Sequence, residues 1–315
     1  MKKFLFTATL LLLVAASASA YSFKSGNLCY YIISGTNTVL VTYENWANPS
    51  YTNLSGAITI PQTVSNSGKT YTVVGLDRNT FKGCSITSCS IPSTVQSIGS
   101  QAFDQCTALT SVNIPDGVTV IKEYCFSTCS NLKSIVIPNT VTKIEDMAFR
   151  NCSSLESVTM SDNVTSFGID AFDNCNSLST ITIPATTTSI GQTAFACSSL
   201  EMIKSEIQDP SQVQINSWAF MSVDKQECLL LVPTGTVDAY KAAPVWKEFM
   251  NIVDNVDTVA GDVNGDGYVT SADVTAIYDV LLGTDNTFET TADVNGDGYI
   301  TSADVTAIYD ILLGI

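Results

Sequence analysis

Two stretches of the sequence carry oxygen-bearing residues at a spacing that could bind a metal ion. The stretch from Asp262 to Gly283 recurs from Asp293 to Gly314, and the copies differ at only two positions, where the first has Val and the second Ile. Each copy opens with Asp, Asn and Asp at alternate positions, followed by a Gly, a Thr and a closing Asp at the twelfth position. This is the ligand spacing of a hard-cation loop, and the charge and oxygen count favour Ca²⁺. The candidate ligands of two Ca²⁺ ions are Asp262, Asn264, Asp266, the Tyr268 carbonyl, Thr270 and Asp273 in the first loop, and Asp293, Asn295, Asp297, the Tyr299 carbonyl, Thr301 and Asp304 in the second loop.

One amphipathic helix is predicted after each loop. In the first copy, an apolar stripe follows the helical spacing i, i+3, i+4, i+7 and i+8. Thr270 is placed to cap this helix, with Asp273 three residues later, and Gly283 is placed to end it. No helix is expected before the loop, because residues 255–261 are few and polar. The stripe consists of Val274, Ile277, Tyr278, Leu281 and Leu282.

Two tandem units of loop and exiting helix resemble the type I dockerin, the module by which extracellular bacterial proteins dock into cohesin modules. The resemblance covers residues 261–315 and departs from a full EF-hand, which has two helices and a closing Glu. It implies two Ca²⁺ ions and, as partner, a cohesin-type module of a scaffold or surface protein. Because the copies are nearly identical, either could present the same contact after a half-turn. The implied partner-binding residues are Ser271, Ala272 and Tyr278, and Ser302, Ala303 and Tyr309. The family's contact pair is often two hydroxyl residues, so the alanines leave the partner type open.

The first 20 residues have the features of a secretory signal peptide. Two lysines are followed by an apolar run from Phe4 to Val14 and by the small-residue site Ala18-Ser19-Ala20. The apolar run is too short for a transmembrane anchor, and no other run is long enough to cross a bilayer. We therefore expect a secreted, extracellular protein, and the dockerin resemblance implies that it is held at the bacterial cell surface.

Charge and composition exclude several classes of function. The net charge is −16, and the residues from Asp254 onward include twelve acidic and no basic side chains. Such a segment repels nucleic acid and anionic lipid, so neither is expected as a partner. The sequence has no histidine, which removes Ser-His-Asp and Cys-His catalysis and imidazole metal sites.

A repeat of 23 residues occupies the middle of the chain. Ile-Pro or a substitute recurs at positions 91, 114, 137, 160 and 183, and Ala-Phe or Cys-Phe recurs at 102, 125, 148, 171 and 194. A fixed period of this length predicts stacked supersecondary units, because one unit cannot hide its apolar face alone. In the unit that begins at Ala102, extended segments are predicted at 109–114 and 118–121, and Phe103 is expected to be buried in a turn or short helix.

This pattern resembles the BspA-like (Treponema pallidum type) leucine-rich repeat, whose signature AFxxCxxLxxVxIPxxVxxI is matched from about residue 81 to residue 203. The resemblance implies a mainly β fold, a right-handed leucine-rich-repeat solenoid with capping segments, followed by a small all-α calcium-binding dockerin of two loop-helix motifs. In the amino-terminal cap, strands are predicted at 28–34, 39–43, 57–60 and 71–76. Tyr240, Trp246 and Phe249 are expected to seal the carboxyl-terminal end of the solenoid. The predicted domains are a signal peptide (1–20), an amino-terminal β cap (21–80), the repeats (81–203), a carboxyl-terminal cap (204–253), a linker (254–260) and the dockerin (261–315).

Ten cysteines in an exported chain suggest disulfides, but six of them recur at one place in the repeat. A small, weakly polar residue repeated there favours a column of buried thiols over stacked disulfides. This cysteine ladder consists of Cys84, Cys106, Cys129, Cys152, Cys175 and Cys197. A bridge stays open among the others, which are Cys29, Cys89, Cys125 and Cys228.

Strand alternation predicts an exposed strip of small polar residues on the solenoid, here called the repeat face. One interpretation is a docking surface for a protein or glycan, since solenoid sheets present extended binding faces. The other is a plain solvated sheet, because no aromatic residue or arginine interrupts the strip. The repeat face consists of Ser111, Asn113, Ser134, Ser157, Thr159, Thr180 and Thr182.

Three functional hypotheses fit these features. The first is an exported, non-catalytic binding or adhesion protein, whose repeats contact a protein or glycan and whose calcium-dependent dockerin attaches it to a cohesin-bearing complex. The alternative is an accessory or catalytic component of a cellulosome-like, polysaccharide-degrading complex, because dockerins usually accompany glycoside hydrolases. The scattered carboxylates of the repeats count against an enzyme, since glycosidases need two facing acids. In the third hypothesis the loops only stabilise the carboxyl terminus with calcium and have no partner.

Overall fold

The computed structural model describes residues 21–44, 51, 54–255, 261, 263, 269–284, 292–297 and 299–313. The predicted signal peptide and residues 256–260 of the predicted linker lie outside these ranges. The chain divides into two compact units, one of Met1–Glu201 with Val213–Asp224 and one of Met202–Gln212 with Lys225–Ile315. Within the described ranges, no helix is long and apolar enough to span a membrane.

Short strands dominate the described chain. In order they are β1 (Phe23–Ser25), β2 (Leu28–Ile32), β3 (Thr38–Thr42), β4 (Ser55–Thr59), β5 (Thr63–Asn66), β6 (Lys69–Leu76), β7 (Ser85–Ser90), β8 (Ser97–Ile98), β9 (Ser111–Val112), β10 (Val120–Ile121), β11 (Ser134–Val136), β12 (Lys143–Ile144), β13 (Ser157–Thr159), β14 (Ser166–Phe167), β15 (Thr180–Ile183), β16 (Ser189–Ile190), β17 (Met202–Ser205), β18 (Gln214–Ile215), β19 (Leu229–Pro233) and β20 (Asn251–Asn255). The α-helices are α1 (Val237–Ala242), α2 (Ser271–Leu281) and α3 (Ser302–Leu313), and short 3₁₀ turns span Pro210–Gln212 and Trp246–Glu248.

The first unit begins with a sheet of six strands, in which β8 lies parallel to β6. β1, β2 and β3 pair antiparallel in sequence order, β6 lies parallel to β3, and β5 lies antiparallel to β6. The strands predicted in this region correspond to β2, β3, β4 and β6. The sequence does not predict β1 and β5, because they have three and four residues and are mostly polar.

Successive repeats stack as parallel strands in register, so this part of the chain is a β solenoid. β10, β12, β14, β16 and β18 form one sheet in that order, and Ile121 pairs with Ile144, which pairs with Phe167. On another side of the repeats, β4, β7 and β9 pair in one sheet, and β11 and β13 pair in another. The predicted fold class is confirmed, and the domain boundaries stay predictions.

A column of phenylalanine rings fills the interior of the solenoid. Rings of successive repeats have centroids 5.1–5.7 Å apart, and each ring is fully buried. Aromatic pairs at this distance add electrostatic and dispersion attraction to the gain from burial. The predicted burial of Phe103 is confirmed, and its ring is one member of this column. The column consists of Phe81, Phe103, Phe126, Phe149, Phe172, Phe195 and Phe220.

The cysteine ladder is a column of buried free thiols, as predicted. From Cys106 onward, each ladder thiol donates a hydrogen bond of 2.9–3.2 Å to the backbone carbonyl of the phenylalanine one repeat earlier. The thiols therefore join neighbouring repeats without any covalent bond. Cys29, Cys89 and Cys125 are also buried free thiols, so they form no bridge among themselves.

The turns that carry the Ala102-Phe103 pair and its equivalents as far as Phe195 contain residues in the left-handed backbone conformation. Gln101 and Gln105, with φ of 60° and 62°, flank the Ala102-Phe103 pair. Residues other than glycine rarely adopt this conformation, so the stacking must impose it. The backbone N–H of Phe103 donates to the Cys125 carbonyl at 2.8 Å, which fixes the turn against the next repeat. The equivalent left-handed residues are Tyr124, Thr128, Met147, Asn151, Asp170, Asn174 and Thr193.

The second unit contains the predicted carboxyl-terminal cap. β17, β19 and β20 form a parallel sheet in that order. Tyr240 and Trp246 are fully buried and meet edge to face, with ring centroids 5.3 Å apart. The Tyr240 hydroxyl donates to the Ile207 carbonyl at 2.8 Å. Phe249 is also buried, so all three expected aromatic residues lie inside this cap.

The apolar stripe predicted for α2 is only partly correct. Val274 and Ile277 are buried, whereas Tyr278, Leu281 and Leu282 are 47%, 41% and 73% exposed. The reason is that the core between α2 and α3 is built from residues in the first two turns of both helices, so the last turn of α2 extends beyond it.

Candidate calcium loops and repeat face

The second loop is described almost completely, and the first only in part. In the second loop all six predicted ligands are described. In the first loop, Thr270 and Asp273 are described. The first-loop candidates outside the described residues are Asp262, Asn264, Asp266 and Tyr268. The geometry below therefore comes mainly from the second loop.

Side-chain oxygens of the second loop accept hydrogen bonds from the backbone of the same loop. Asp293 Oδ1 and Asn295 Oδ1 both accept from the Asp297 N–H, at 3.1 and 2.9 Å. Asp297 Oδ1 accepts from the Tyr299 N–H at 2.9 Å. These bonds bend the chain around the oxygens of three predicted ligands. The Tyr299 side chain is 73% exposed, and only the backbone carbonyl of this residue is a predicted ligand.

The closing aspartates, Asp273 and Asp304, are fully buried and join the two ends of their loops. Asp304 Oδ1 accepts from the N–H groups of Val294 and Asn295, at 2.9 and 3.2 Å, and its Oδ2 accepts from the Thr301 N–H at 2.8 Å. In the first loop, Asp273 Oδ1 accepts from the Val263 N–H and Oδ2 from the Thr270 N–H, both at 2.8 Å. Each closing carboxylate therefore links loop positions two and nine.

The predicted boundaries of α2 are confirmed. Thr270 Oγ1 accepts from the Ala272 N–H at 3.1 Å, and with Asp273 it forms a capping box. At the other end, Gly283 has φ of 66° and its N–H donates to the Val280 carbonyl at 3.0 Å. Glycine favours this left-handed position, which stops the helix after Leu281.

The predicted ligand set contains only oxygen donors. Carboxylates, amides, a hydroxyl and a carbonyl suit a hard cation such as Ca²⁺ rather than a thiophilic metal. In the described part of the chain, no three His, Cys, Asp or Glu side chains gather closely enough to hold a metal on their own. The donor chemistry thus fits calcium, and the assignment of the twelve ligands stays a prediction.

The predicted partner-binding residues are exposed in both copies. The pairs Ser271-Ala272 and Ser302-Ala303 lie at the exposed beginnings of α2 and α3. Tyr278 is 47% exposed and Tyr309 is 48% exposed. The two helices therefore offer the same side chains to solvent to the same extent.

The repeat face is accessible, although one of its members already has internal partners. Six of the seven residues are exposed and Thr182 is half-buried. The Asn113 amide donates to the Ile91 carbonyl and accepts from the Ile91 N–H, both at 2.7 Å. Asn113 therefore bonds the neighbouring repeat with both ends of its side chain. Ser134 pairs in register with Ser157, and Val136, which is 61% exposed, pairs with Thr159.

A surface groove of about 380 Å³ carries several carboxylates in the first unit. Glu145 Oε2 accepts from the Glu123 N–H at 3.1 Å, and Asp146 Oδ1 accepts from the Ile169 N–H at 2.7 Å. Both acids therefore bond the backbone of an adjacent repeat. These bonds give both acids a structural role.

Sequence reasoning missed the apolar residues that anchor the loops. Val263 follows the first predicted ligand and is 1% exposed, and Ala292 precedes the second loop and is fully buried. The available signal was the repeated apolar residue at loop positions two and eight. Those residues are Val263 and Val269 in the first loop, and Val294 and Ile300 in the second.

Comparison with known families gives two matches. Residues 75–201 and 119–230 match the BspA type leucine rich repeat region, in six copies. Residues 260–313 match the dockerin type I domain. A comparison with curated proteins gives no significant match.

Several solved structures resemble the chain. A leucine-rich repeat protein from Bacteroides ovatus is 22% identical, with 75% of this chain and 77% of that chain covered and a TM-score of 0.42. A leucine rich cell surface protein from Faecalibacterium prausnitzii is 32% identical, with coverages of 62% and 57% and a TM-score of 0.47. The T. pallidum leucine rich repeat protein is 26% identical, with coverages of 56% and 68% and a TM-score of 0.36.

Proposed function

Because this chain is a BspA-type leucine-rich-repeat protein that carries a dockerin type I domain, we propose that it is an exported, non-catalytic binding protein. Its dockerin attaches it to a cohesin-bearing scaffold or surface protein in a calcium-dependent way. Its repeats then hold a protein or glycan ligand at that extracellular assembly.

The equal exposure of Tyr278 and Tyr309 is the observation that carries this proposal. The Ser-Ala pairs that begin the two helices are exposed as well. If the dockerin rotated by half a turn relative to its partner, the second copy would offer the same apolar and hydroxyl contacts as the first. We expect two docking orientations of similar affinity.

Calcium would be held by the oxygen donors of the two loops, the aspartates and asparagines at their openings and the closing aspartates. When bound, the ion supplies positive charge that offsets repulsion among these carboxylates and connects the two ends of each loop. Asp273 and Asp304 already join positions two and nine of their loops and cap α2 and α3. These aspartates therefore position the start of the helices whose exposed faces we propose to bind the cohesin.

The docking proposal is tested with cohesin modules from the source organism and the full mature chain. Replacing Ser271 and Ala272 with arginines should leave binding within about threefold of the parent, because the second copy remains available. The matched change at Ser302 and Ala303 should behave in the same way, and the combined variant should lose binding. A single-copy variant that abolishes binding would refute two equivalent orientations.

Calcium dependence separates docking from a purely stabilising role of the loops. Capture of a cohesin by the parent chain should disappear in EDTA and return when excess calcium is added. If no cohesin is captured in either condition while calcium still raises the melting temperature, the loops only stabilise the carboxyl terminus and have no partner.

The repeat face supports the second half of the proposal, since its accessible hydroxyls extend over several repeats. Arrays of host proteins and of plant and host glycans, probed with the mature chain, would identify the ligand. Replacing exposed Ser134 and Ser157 with arginines should weaken a ligand of this face at least about tenfold. The same changes at exposed Thr119 and Thr142, on another strip of the repeats, serve as the matched control.

The enzymatic alternative predicts that the mature chain releases reducing sugar from a polysaccharide. We expect no release, because the groove acids Glu145 and Asp146 bond the backbone of adjacent repeats. Reproducible release that is lost in Glu145→Gln would overturn the non-catalytic proposal.

A further inference from the structure

The turn that holds Phe220, the last ring of the phenylalanine column, exposes two large apolar side chains. Trp218 is 57% exposed and Met221 is 67% exposed. They flank Ala219 and Phe220, which are fully buried. Trp218 and Met221 are here called the apolar turn pair.

The preceding turn has no such pair. The N–H of Thr193 donates to the Trp218 carbonyl at 3.3 Å, and the N–H of Phe195 donates to the Ala219 carbonyl at 2.9 Å. The two turns are therefore aligned, and the equivalents of the apolar turn pair are Thr193, which is half-buried, and Ala196, which is buried. Exposed apolar surface at this edge is thus a feature of one turn and not of the repeat as such.

Two carboxylates and one guanidinium lie together on the turns before it. Arg150 Nε is 3.1 Å from Asp173 Oδ2 and 3.8 Å from Asp170 Oδ2. These three residues, here called the acidic turn group, therefore carry one more negative than positive charge. Burial, together with the charge of Asp170, raises the pKa of Asp173 although the guanidinium opposes this shift. A further cation would stabilise the group.

The acidic turn group is connected to the apolar turn pair through Thr193. The Thr193 hydroxyl donates to the Asp170 carboxylate, and the Thr193 N–H donates to the Trp218 carbonyl. The three residues thus belong to three consecutive turns. The rings of these turns, Phe172, Phe195 and Phe220, have centroids 5.7 Å apart at each step.

We propose that the apolar turn pair and the acidic turn group together dock an extended segment of a protein partner. The segment presents a large apolar side chain to Trp218 and Met221, because tryptophan and methionine are enriched in protein interfaces. It presents a lysine or arginine to the acidic turn group, where it supplies the missing positive charge. An extended chain covers two steps of the solenoid in about three or four residues, which sets the spacing of the two side chains.

This site goes beyond the proposed function and does not use the repeat face. The repeat face offers small hydroxyl residues and no aromatic residue or arginine, whereas this edge offers a tryptophan, a methionine and an arginine. A neutral glycan would leave the excess negative charge uncompensated, and an anionic glycan would add to it. The charge therefore favours a protein segment with a basic residue.

A random peptide library displayed on phage, selected on the full mature chain, tests the proposal. The selected peptides should share a large apolar residue and a lysine or arginine about three or four residues apart. As synthetic peptides in fluorescence anisotropy, they should bind Trp218→Ser with Met221→Ser at least about tenfold more weakly than the parent. Met250→Ser changes a methionine that is 72% exposed in the second unit and should leave the affinity unchanged. Peptides without this pattern, or equal binding to the double variant and the parent, would overturn the proposal.

Asp170→Asn tests the contribution of the charge. Asp170 has φ of 54°, a left-handed conformation that asparagine tolerates, and the amide oxygen can still accept from Thr193. The change should weaken a selected peptide about threefold, as expected for a partly exposed ion pair. The same peptide with its basic residue replaced by alanine should bind Asp170→Asn and the parent equally. Equal effects of the change on both peptides would overturn the assignment of a basic partner.

Two further outcomes would place the ligand elsewhere or change its class. If Ser134→Arg with Ser157→Arg abolishes peptide binding and the double variant of the apolar turn pair does not, the repeat face is the site and this proposal fails. If the parent binds a glycan on an array and Trp218→Ser with Met221→Ser abolishes that binding, the ligand of this edge is a sugar and the protein partner is wrong.

Discussion

The thiol of Cys152 donates a hydrogen bond of 3.1 Å to the backbone carbonyl of Phe126, one repeat earlier. The N–H of Cys129 donates to the same carbonyl at 3.2 Å. The thiol is therefore the second donor to a buried acceptor, and it connects two repeats at the place where their phenylalanine rings stack 5.3 Å apart.

Replacing Cys152 with alanine should lower the free energy of unfolding by about 1–2 kcal/mol. The change removes a buried sulfur that packs closely and a weak hydrogen bond that has no water to replace it. Urea unfolding of the mature chain would measure the loss. The exposed neighbour Ser153 supplies the control, because Ser153→Ala should change stability by less than about 0.5 kcal/mol. Equal stabilities of the two variants would contradict a role for the ladder thiol.

The solenoid should lose stability at alkaline pH. Burial raises the pKa of Cys152 from an ordinary value of 9.0 to about 12, and the pKa of Cys89 is raised in the same way. Between these values the folded chain keeps protons that the unfolded chain releases, so each such thiol costs about 1.4 kcal/mol of stability per pH unit. The contribution of the buried Cys152 thiol to the free energy of unfolding is fully present below pH 9.0 and is lost as the pH rises toward 12.

Urea unfolding at several pH values between about 8 and 11 measures this decline. Cys152→Ala should show a shallower slope than the parent, since one titrating thiol is missing. A slope identical to that of the parent would mean that Cys152 does not titrate differently in the folded and unfolded chains.

Thr128→Asn should stabilise the solenoid by about 1 kcal/mol. Thr128 has φ of 59°, where a β-branched residue is strained, and the equivalent positions hold Asn151 and Asn174. The reverse change, Asn151→Thr, should destabilise by a similar amount. Thermal unfolding would compare the two variants with the parent. If both changes lowered the melting temperature, strain at this position would not be the cause.

Calcium removal should unfold most of α2 and α3. The loop openings and closing positions bring together six aspartates in a segment with no basic residue, and without a cation these charges repel one another. Circular dichroism of the mature chain at 222 nm should lose most of its helical signal in EDTA. Asp262→Ala combined with Asp293→Ala should give the same spectrum without chelator. Spectra that are identical with and without calcium would contradict the site assignment.

The periodic features of the fold were predictable from the sequence. Phe103 and Cys106 recur in every repeat at one register, so stacking was the only arrangement that buries them all. The first turn of α2 was predictable because Thr270 and Asp273 have the spacing of a capping box. In each case the residue types and their spacing determine the contact locally.

Contacts that depend on the position of a neighbouring element could not be predicted from the sequence in the same way. Tyr278 and Leu282 fit the helical stripe of α2, but their burial depends on how far α3 extends along it. Asn113 looked like a member of an accessible strip, and only the position of Ile91 in the preceding repeat shows that its amide is occupied. The left-handed turns were also missed, since residues such as Tyr124 and Met147 give no sign of positive φ.

The contacts between successive rings of the phenylalanine column are similar from one repeat to the next. No contact in the column therefore sets a preferred number of repeats. Removing residues 126–148 as one block would bring Phe149 next to Phe103 with the same ring contact, thiol bond and backbone bonds. The length of the solenoid could therefore change by whole repeats during evolution, without any redesign of its interior.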